Sequence, residues 1–138
     1  MSQEKLSDQA LCKALMQTVC KAIYGGARKQ VDYLRYGART RVEEDLGRHI
    51  LTLASLQLTE QQLNALEAAF RQVQEHLIGA LFALIDGSNQ PSGWPDEVRL
   101  MDIDTGEVIC PEGLEWAFGL ALAEYRAHIE GDAHHASS

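Results

Sequence analysis

The sequence predicts an α+β domain, mostly helical, with a long central helix and one C-terminal β-hairpin. Three observations carry that prediction. An apolar repeat with steps of three and four runs Leu63, Leu66, Phe70, Val73, Leu77, Leu81, Leu84, one face of a helix. A loop rich in Gly, Ser, Asn and Pro follows over 86–96. Two short β-prone runs, 98–103 and 107–110, then flank Asp104-Thr105-Gly106, a three-residue loop ending in Gly that suits a bulged hairpin.

The central helix has the clearest start. Thr59 is placed as N-cap with Gln62 three residues on, a capping box, and Leu58 and Leu63 occupy the hydrophobic-staple positions. Glu60 puts negative charge where the helix dipole favours it. Ile78, Phe82 and Ile85 widen the apolar stripe late on, so the C-terminal end should be the more buried one. Asp86-Gly87 ends the helix, with Gly87 taking the left-handed closing conformation. Such a helix spans roughly 35–40 Å.

The first helix should begin at Ser7, with Asp8 in its first turn, and end at Gly25-Gly26. Leu11, Leu15, Val19 and Ala22/Ile23 are its expected apolar face. Over 27–56 a helical rhythm persists through Val31, Leu34, Ala38, Val42, Leu46, Ile50 and Leu53. Gly37 and Gly47 each weaken it by about 1 kcal/mol relative to Ala. Helices over 28–45 and 46–55, or one bent helix, are expected there. The last helix should cover 112–129, with Leu114, Phe118, Ala121/Leu122, Tyr125 and Ile129 inward and Trp116 off the stripe. Gly131 should end it, leaving 131–138 as a disordered tail after a single domain over 1–130.

Composition is that of an ordinary soluble globular chain, 46% hydrophobic and 23% charged over 138 residues. The longest apolar run, 77–85, is too short to span a bilayer, and the polar N-terminus lacks a signal-peptide core, so the expected location is cytoplasmic. Cys12 and Cys20 stand eight apart on one helix, too far for a disulfide, and no Cys/His cluster suggests zinc. All three cysteines, Cys110 included, are therefore expected as reduced, half-buried thiols.

Charge is unevenly spread. Residues 1–75 carry ten Lys/Arg and nine Asp/Glu, net +1, whereas residues 76–138 carry two and eleven, net −9. That half would repel phosphate backbones and attract a basic protein surface. Its acidity also serves solubility alone. Arg28, Lys29, Arg35, Arg39, Arg41 and Arg48 could form an anion-binding patch, but interleaved Asp32, Glu43, Glu44 and Asp45 favour a solvated, self-paired face.

Catalytic chemistry is not visible. The 86–96 loop lacks the Lys-Ser/Thr of a phosphate loop, and there is no GxSxG or HExxH. His49, His76 and His128 lie on or near helices without a Ser or Cys nucleophile in any catalytic motif, Glu75-His76 are adjacent and so share no helix face, and His134-His135 lack two further ligands. Asp102, Asp104 and Glu107 depart from calcium-loop spacing. Neither a metal nor any other cofactor is expected.

The run Leu81-Phe-Ala-Leu-Ile-Asp86-Gly87, a loop, Val98-Arg-Leu-Met-Asp102-Ile-Asp104-Thr-Gly106-Glu107 and Leu114-Glu-Trp-Ala-Phe118 resembles a pattern in small uncharacterised bacterial proteins. Some of those look like immunity proteins of contact-dependent or polymorphic toxin systems. The resemblance covers residues 77–118 and implies a cytoplasmic toxin inhibitor without catalysis of its own.

The expected function is thus protein binding: an acidic immunity-type inhibitor covering a cognate toxin, with no nucleic-acid or membrane partner. The expected contact residues are Asp86, Trp94, Asp96, Glu97, Asp102, Asp104 and Glu107. Each has a plainer reading as turn former or solvated charge, and Trp94 reads better as a plug over the core than as an anchor. Two alternatives stand beside it. One is a homodimeric structural or regulatory module with the long helix as seam. The other is a small-ligand binder with a pocket under the Trp94 loop.

Overall fold

The computed structural model describes residues 7–36, 45–88, 90–95 and 97–136, with backbone alone at 8, 45–47 and 132–136. Four helices account for the regular structure among them: α1 (Asp8–Tyr36), α2 (Asp45–Ala54), α3 (Glu60–Asp86) and α4 (Leu114–Ala136). The class is all-α, which corrects the expected α+β fold with a hairpin. The 98–110 segment does fold back on itself, but as a single antiparallel bridge, Met101 to Val108. The turn chemistry formed and the strands did not. Leu100, Met101 and Ile103 stay exposed on both sides of the segment, so no apolar face is buried that would stabilise a two-stranded sheet.

Helix α1 starts where the sequence places it. Ser7 accepts from Ala10 N–H through its hydroxyl at 3.3 Å and from Leu11 N–H through its carbonyl at 2.8 Å. It does not stop at Gly25-Gly26 but continues for 29 residues. The two glycines cost about 1 kcal/mol each. Against that, Met16, Cys20, Ile23, Ala27 and Val31 are all buried at helical spacing, and burying one large aliphatic side chain contributes about 1.5–3 kcal/mol. This buried face also differs from the expected one: Leu11, Leu15 and Val19 are only half-buried and Ala22 is exposed.

Helix α2 is closed by Gln57, which adopts a left-handed φ of 52°, with Leu56 N–H and Gln57 N–H donating to Leu53 and Ala54 carbonyls. Helix α3 then opens on the expected capping box. Thr59 N–H donates to Gln62 Oε1 at 2.9 Å and Gln62 N–H to Thr59 Oγ1 at 3.2 Å. It closes on a Schellman arrangement: Ser88 N–H donates to Ala83 O, Gly87 N–H donates to Leu84 O, and Gly87 has φ 108°. The long apolar stripe is only partly used. Leu63 and Phe82 are buried and Ile78 and Ile85 half-buried, but Val73, Leu77 and Leu81 stand 67%, 69% and 49% exposed. Helix α4 buries Leu114 and Phe118 as expected, yet runs past Gly131 to Ala136 where an end and a tail were expected.

By contact density the chain divides into two compact units, Met1–Lys21 with Leu77–Ser138, and Ala22–His76. In the first, Phe82 and Phe118 meet edge to face at 5.4 Å, and Met16, Cys110 and Leu114 are also buried. A disulfide joins Cys12 of α1 to Cys110 ahead of α4, while Cys20 is a buried free thiol. This corrects the expectation of three reduced cysteines. The partners lie 98 residues apart, so local spacing could exclude Cys12–Cys20 but could not find Cys12–Cys110.

In the second unit the core is Ile23, Ala27, Val31, Ile50 and Leu63. Arg35 Nε donates to Glu60 Oε1 at 3.0 Å and its Nη1 to Asp32, tying the end of α1 to the first turn of α3. The Glu60 hydrogen bond raises the Arg35 pKa above its already high ordinary value, so Arg35 is a permanent cation. Arg71 lies 4.9 Å from the Tyr24 ring and Lys29 6.0 Å from the Tyr33 ring. Of the basic stretch, Arg35 and Lys29 are thus engaged within this unit; Arg39, Arg41, Glu43 and Glu44 lie outside the described residues.

Candidate functional site

The seven expected contact residues do not form one surface. Asp86, the last residue of α3, turns its carboxylate onto the start of α4. Leu114 N–H donates to Oδ1 at 2.9 Å and Glu115 N–H to Oδ2 at 2.8 Å. One carboxylate thus satisfies two of the orphan donors of a helix N-terminus 28 residues away and places its charge where the dipole favours it. Asp86 is a structural cap, and Gly113 is shaped around it. Gly113 has φ 111°, and a Cβ there would stand 3.3 Å from Asp86 Oδ2.

Trp94 is half-buried with its indole nitrogen enclosed and without a hydrogen-bond partner, which is the plug arrangement rather than a protruding anchor. Its backbone N–H closes a turn on Pro91 O. Asp102 is buried at 9% exposure, and its Oδ1 accepts from Asp104 N–H at 2.9 Å in an Asx turn. Both therefore shape the fold. Asp96 lies outside the described residues.

Glu97, Asp104 and Glu107 are exposed, and they share one loop. That loop is tightly held. Asp102 N–H donates to Glu107 O, Gly106 N–H to Asp102 O, and Ile109 N–H to Leu100 O, all at 2.8–2.9 Å. Thr105 Oγ1 accepts from Glu107 N–H at 3.2 Å, and Gly106 supplies the left-handed φ of 73°. At its tip Ile103 is 95% exposed, with Met101 at 53% and Leu100 at 39% beside it. Sequence reasoning gave the acids and did not single out these apolar neighbours, because it placed them in a strand of the expected hairpin. The site is an apolar tip on a hydrogen-bonded turn, ringed by carboxylates. Arg99 is the cation within it, 3.5 Å from Glu97.

A large open cavity of about 1070 Å³ lies next to this loop. It is a groove between the first turns of α1, the 107–113 segment and the first turns of α4, with both disulfide cysteines in its wall. Trp94 does not line it, so the pocket expected under the Trp94 loop is not this one. Trp116, noted in the sequence only as an aromatic off the α4 stripe, does line it and is 60% exposed.

Among the described residues no three His, Cys, Asp or Glu side chains gather as a metal site, and no helix is long and apolar enough to cross a membrane. No family model, curated protein or solved structure matches the chain.

Proposed function

We propose that the chain is a non-catalytic protein-binding protein, an immunity-type inhibitor that neutralises a cognate bacterial toxin by covering a basic surface. The observation that carries this is the 97–107 loop. A nearly fully exposed Ile103 on a rigid turn gives a partner an apolar contact at little ordering cost. Glu97, Asp104 and Glu107 around it, and the net −9 of residues 76–138, supply the steering field for a basic partner. The toxin class rests on the resemblance of residues 77–118.

Cytoplasmic residence belongs to the same proposal. A reducing cytoplasm would hold Cys12 and Cys110 as a dithiol, whereas the disulfide belongs to an oxidising compartment. The state of the two sulfurs in protein alkylated inside intact cells reports which form acts.

Co-purification from the native host lysate tests the loop. Wild-type bait should retain one stoichiometric partner, and Ile103→Ser bait should lose most of it, since truncating a central contact costs about 1–2 kcal/mol or more. Bait recovered alone, or a partner held equally by both, contradicts the assignment.

One observation favours a second reading, a homodimer along α3. Leu77 and Leu81 stand one turn apart and are 69% and 49% exposed. Light scattering at two protein concentrations separates the two: a dimer that Leu77→Ser abolishes would replace the inhibitor reading.

A further inference from the structure

We infer that the groove between α1 and α4 receives a basic amphipathic helix of the partner protein, about two turns of it seated in the groove. This rests on the protein-binding reading above and names where, and with what, the partner docks. Three properties of the groove carry it.

The first is its length. Its α1 wall runs from Gln9 to Gln17 and its α4 wall from Trp116 to Glu124, each about 12 Å at 1.5 Å per residue. It is an open trough of about 1070 Å³ rather than an enclosed cavity. Two helical walls with a trough between them are the geometry in which a third helix lays its apolar face.

The second is its lining. Met16, almost fully buried, and Val108 are among its apolar lining residues, and Ala117 and Ala121 present small side chains to it. Trp116 and Leu120, one turn apart on α4, are 60% and 51% exposed and rise along the groove. They sit at the spacing that meets i, i+3, i+4 and i+7 anchors of an incoming helix.

The third is charge. Glu107, Glu112 and Glu124 line the groove and are exposed, and Lys13 is the one cation among the lining residues. An apolar trough rimmed by carboxylates complements a helix with one apolar face and Lys/Arg flanks, and repels its acidic counterpart. Glu107 also belongs to the 97–107 loop, so the groove and the loop form one continuous surface.

The test uses the intact, disulfide-bonded chain and fluorescein-labelled synthetic peptides of about 14 residues, enough for about four helical turns. One carries Leu at i, i+3, i+4 and i+7 with Lys elsewhere. A twin carries Glu for Lys, and a third is the Lys peptide scrambled. Anisotropy titration should saturate with the Lys peptide and give affinities at least about tenfold weaker for the other two. Trp116→Ser with Leu120→Ser, both exposed and so tolerated by the fold, should weaken the Lys peptide by about tenfold. Glu112→Lys with Glu124→Lys should reverse the preference toward the Glu twin.

Equal binding of the Lys and Glu peptides, or binding unmoved by the Trp116/Leu120 pair, overturns the inference. So does saturable binding of dodecanoate with none of the peptides, or a wild-type dimer that the same pair dissociates. A native partner retained by Trp116→Ser/Leu120→Ser bait, with no peptide bound, removes the groove and leaves the inhibitor reading standing. Peptide bound in the groove, with no native partner recovered, supports the groove and removes the inhibitor reading.

Discussion

Removing the Cys12–Cys110 bridge should lower stability by about 3–5 kcal/mol. The bridge closes a loop of 98 residues, more than two thirds of the 138-residue chain, so it removes a large share of the unfolded chain's freedom. It also pins the second turn of α1 to the segment that enters α4, where Cys110 is buried and holds a left-handed φ of 56°. Cys110→Ser or Cys12→Ser should lower Tm by about 10 °C or more at this chain length. Reductant should do the same to the wild type and nothing further to the variants. Cys20→Ala is the control. It removes a buried side chain but leaves the bridge, so its cost should be smaller and its response to reductant undiminished. Thiol titration of denatured, unreduced protein should find one free thiol per chain, that of Cys20. Three free thiols in oxidised protein would contradict the pairing.

Asp86→Ala should cost about 1–3 kcal/mol, a large effect for a polar residue at a helix end. Its carboxylate accepts from two backbone N–H groups at the start of α4, Leu114 N–H in a part-buried bond and Glu115 N–H in an exposed one. The loss combines a helix cap, worth about 0.5–2 kcal/mol, with a favourable charge at the positive end of the dipole. Asp86→Asn keeps one acceptor and should recover part of the loss. Gly113→Ala should be destabilising for a separate reason, since its φ of 111° strains any side chain and the added Cβ crowds Asp86 Oδ2. Urea unfolding measures all three. A neutral Asp86→Ala would show that the cap contributes nothing and would return Asp86 to the list of candidate contacts.

Both predictions involve residues that the sequence could name but not place. Thr59, Gln62 and Gly87 were legible because each acts on backbone within a turn or two of itself. Ser7 was legible for the same reason. Asp86 read as a helix-ending acid because its partners, Leu114 and Glu115, come 28 and 29 residues later. Gly25-Gly26 read as a stop because local propensity is what a sequence shows. The buried row Ile23, Ala27 and Val31 that overrides it depends on what packs against α1. The hairpin failed for the opposite reason. Its turn residues are correct and are satisfied, but the β-prone Leu100, Met101 and Ile103 make a stable strand only if something covers one face. The error was useful, since apolar side chains excluded from a sheet remain at the surface beside Glu97, Asp104 and Glu107. The groove could not be read from sequence because its walls come from the two ends of the chain. Its one local signal was Trp116, an aromatic outside its own helix stripe.

Electrostatic recognition through the 97–107 loop is the central claim, and association kinetics test it most directly. The partner recovered by co-purification would be immobilised. Association would be measured at about 0.05 and 0.5 M salt, where the Debye length falls from above to below the ~10 Å it has at 0.1 M. Wild type should associate quickly at low salt and several-fold more slowly at high salt. The triple variant Glu97→Gln, Asp104→Asn, Glu107→Gln should associate more slowly at low salt and lose most of that salt dependence. Equal rates and equal salt slopes for the two proteins would contradict the claim, and would place recognition on another face of the molecule.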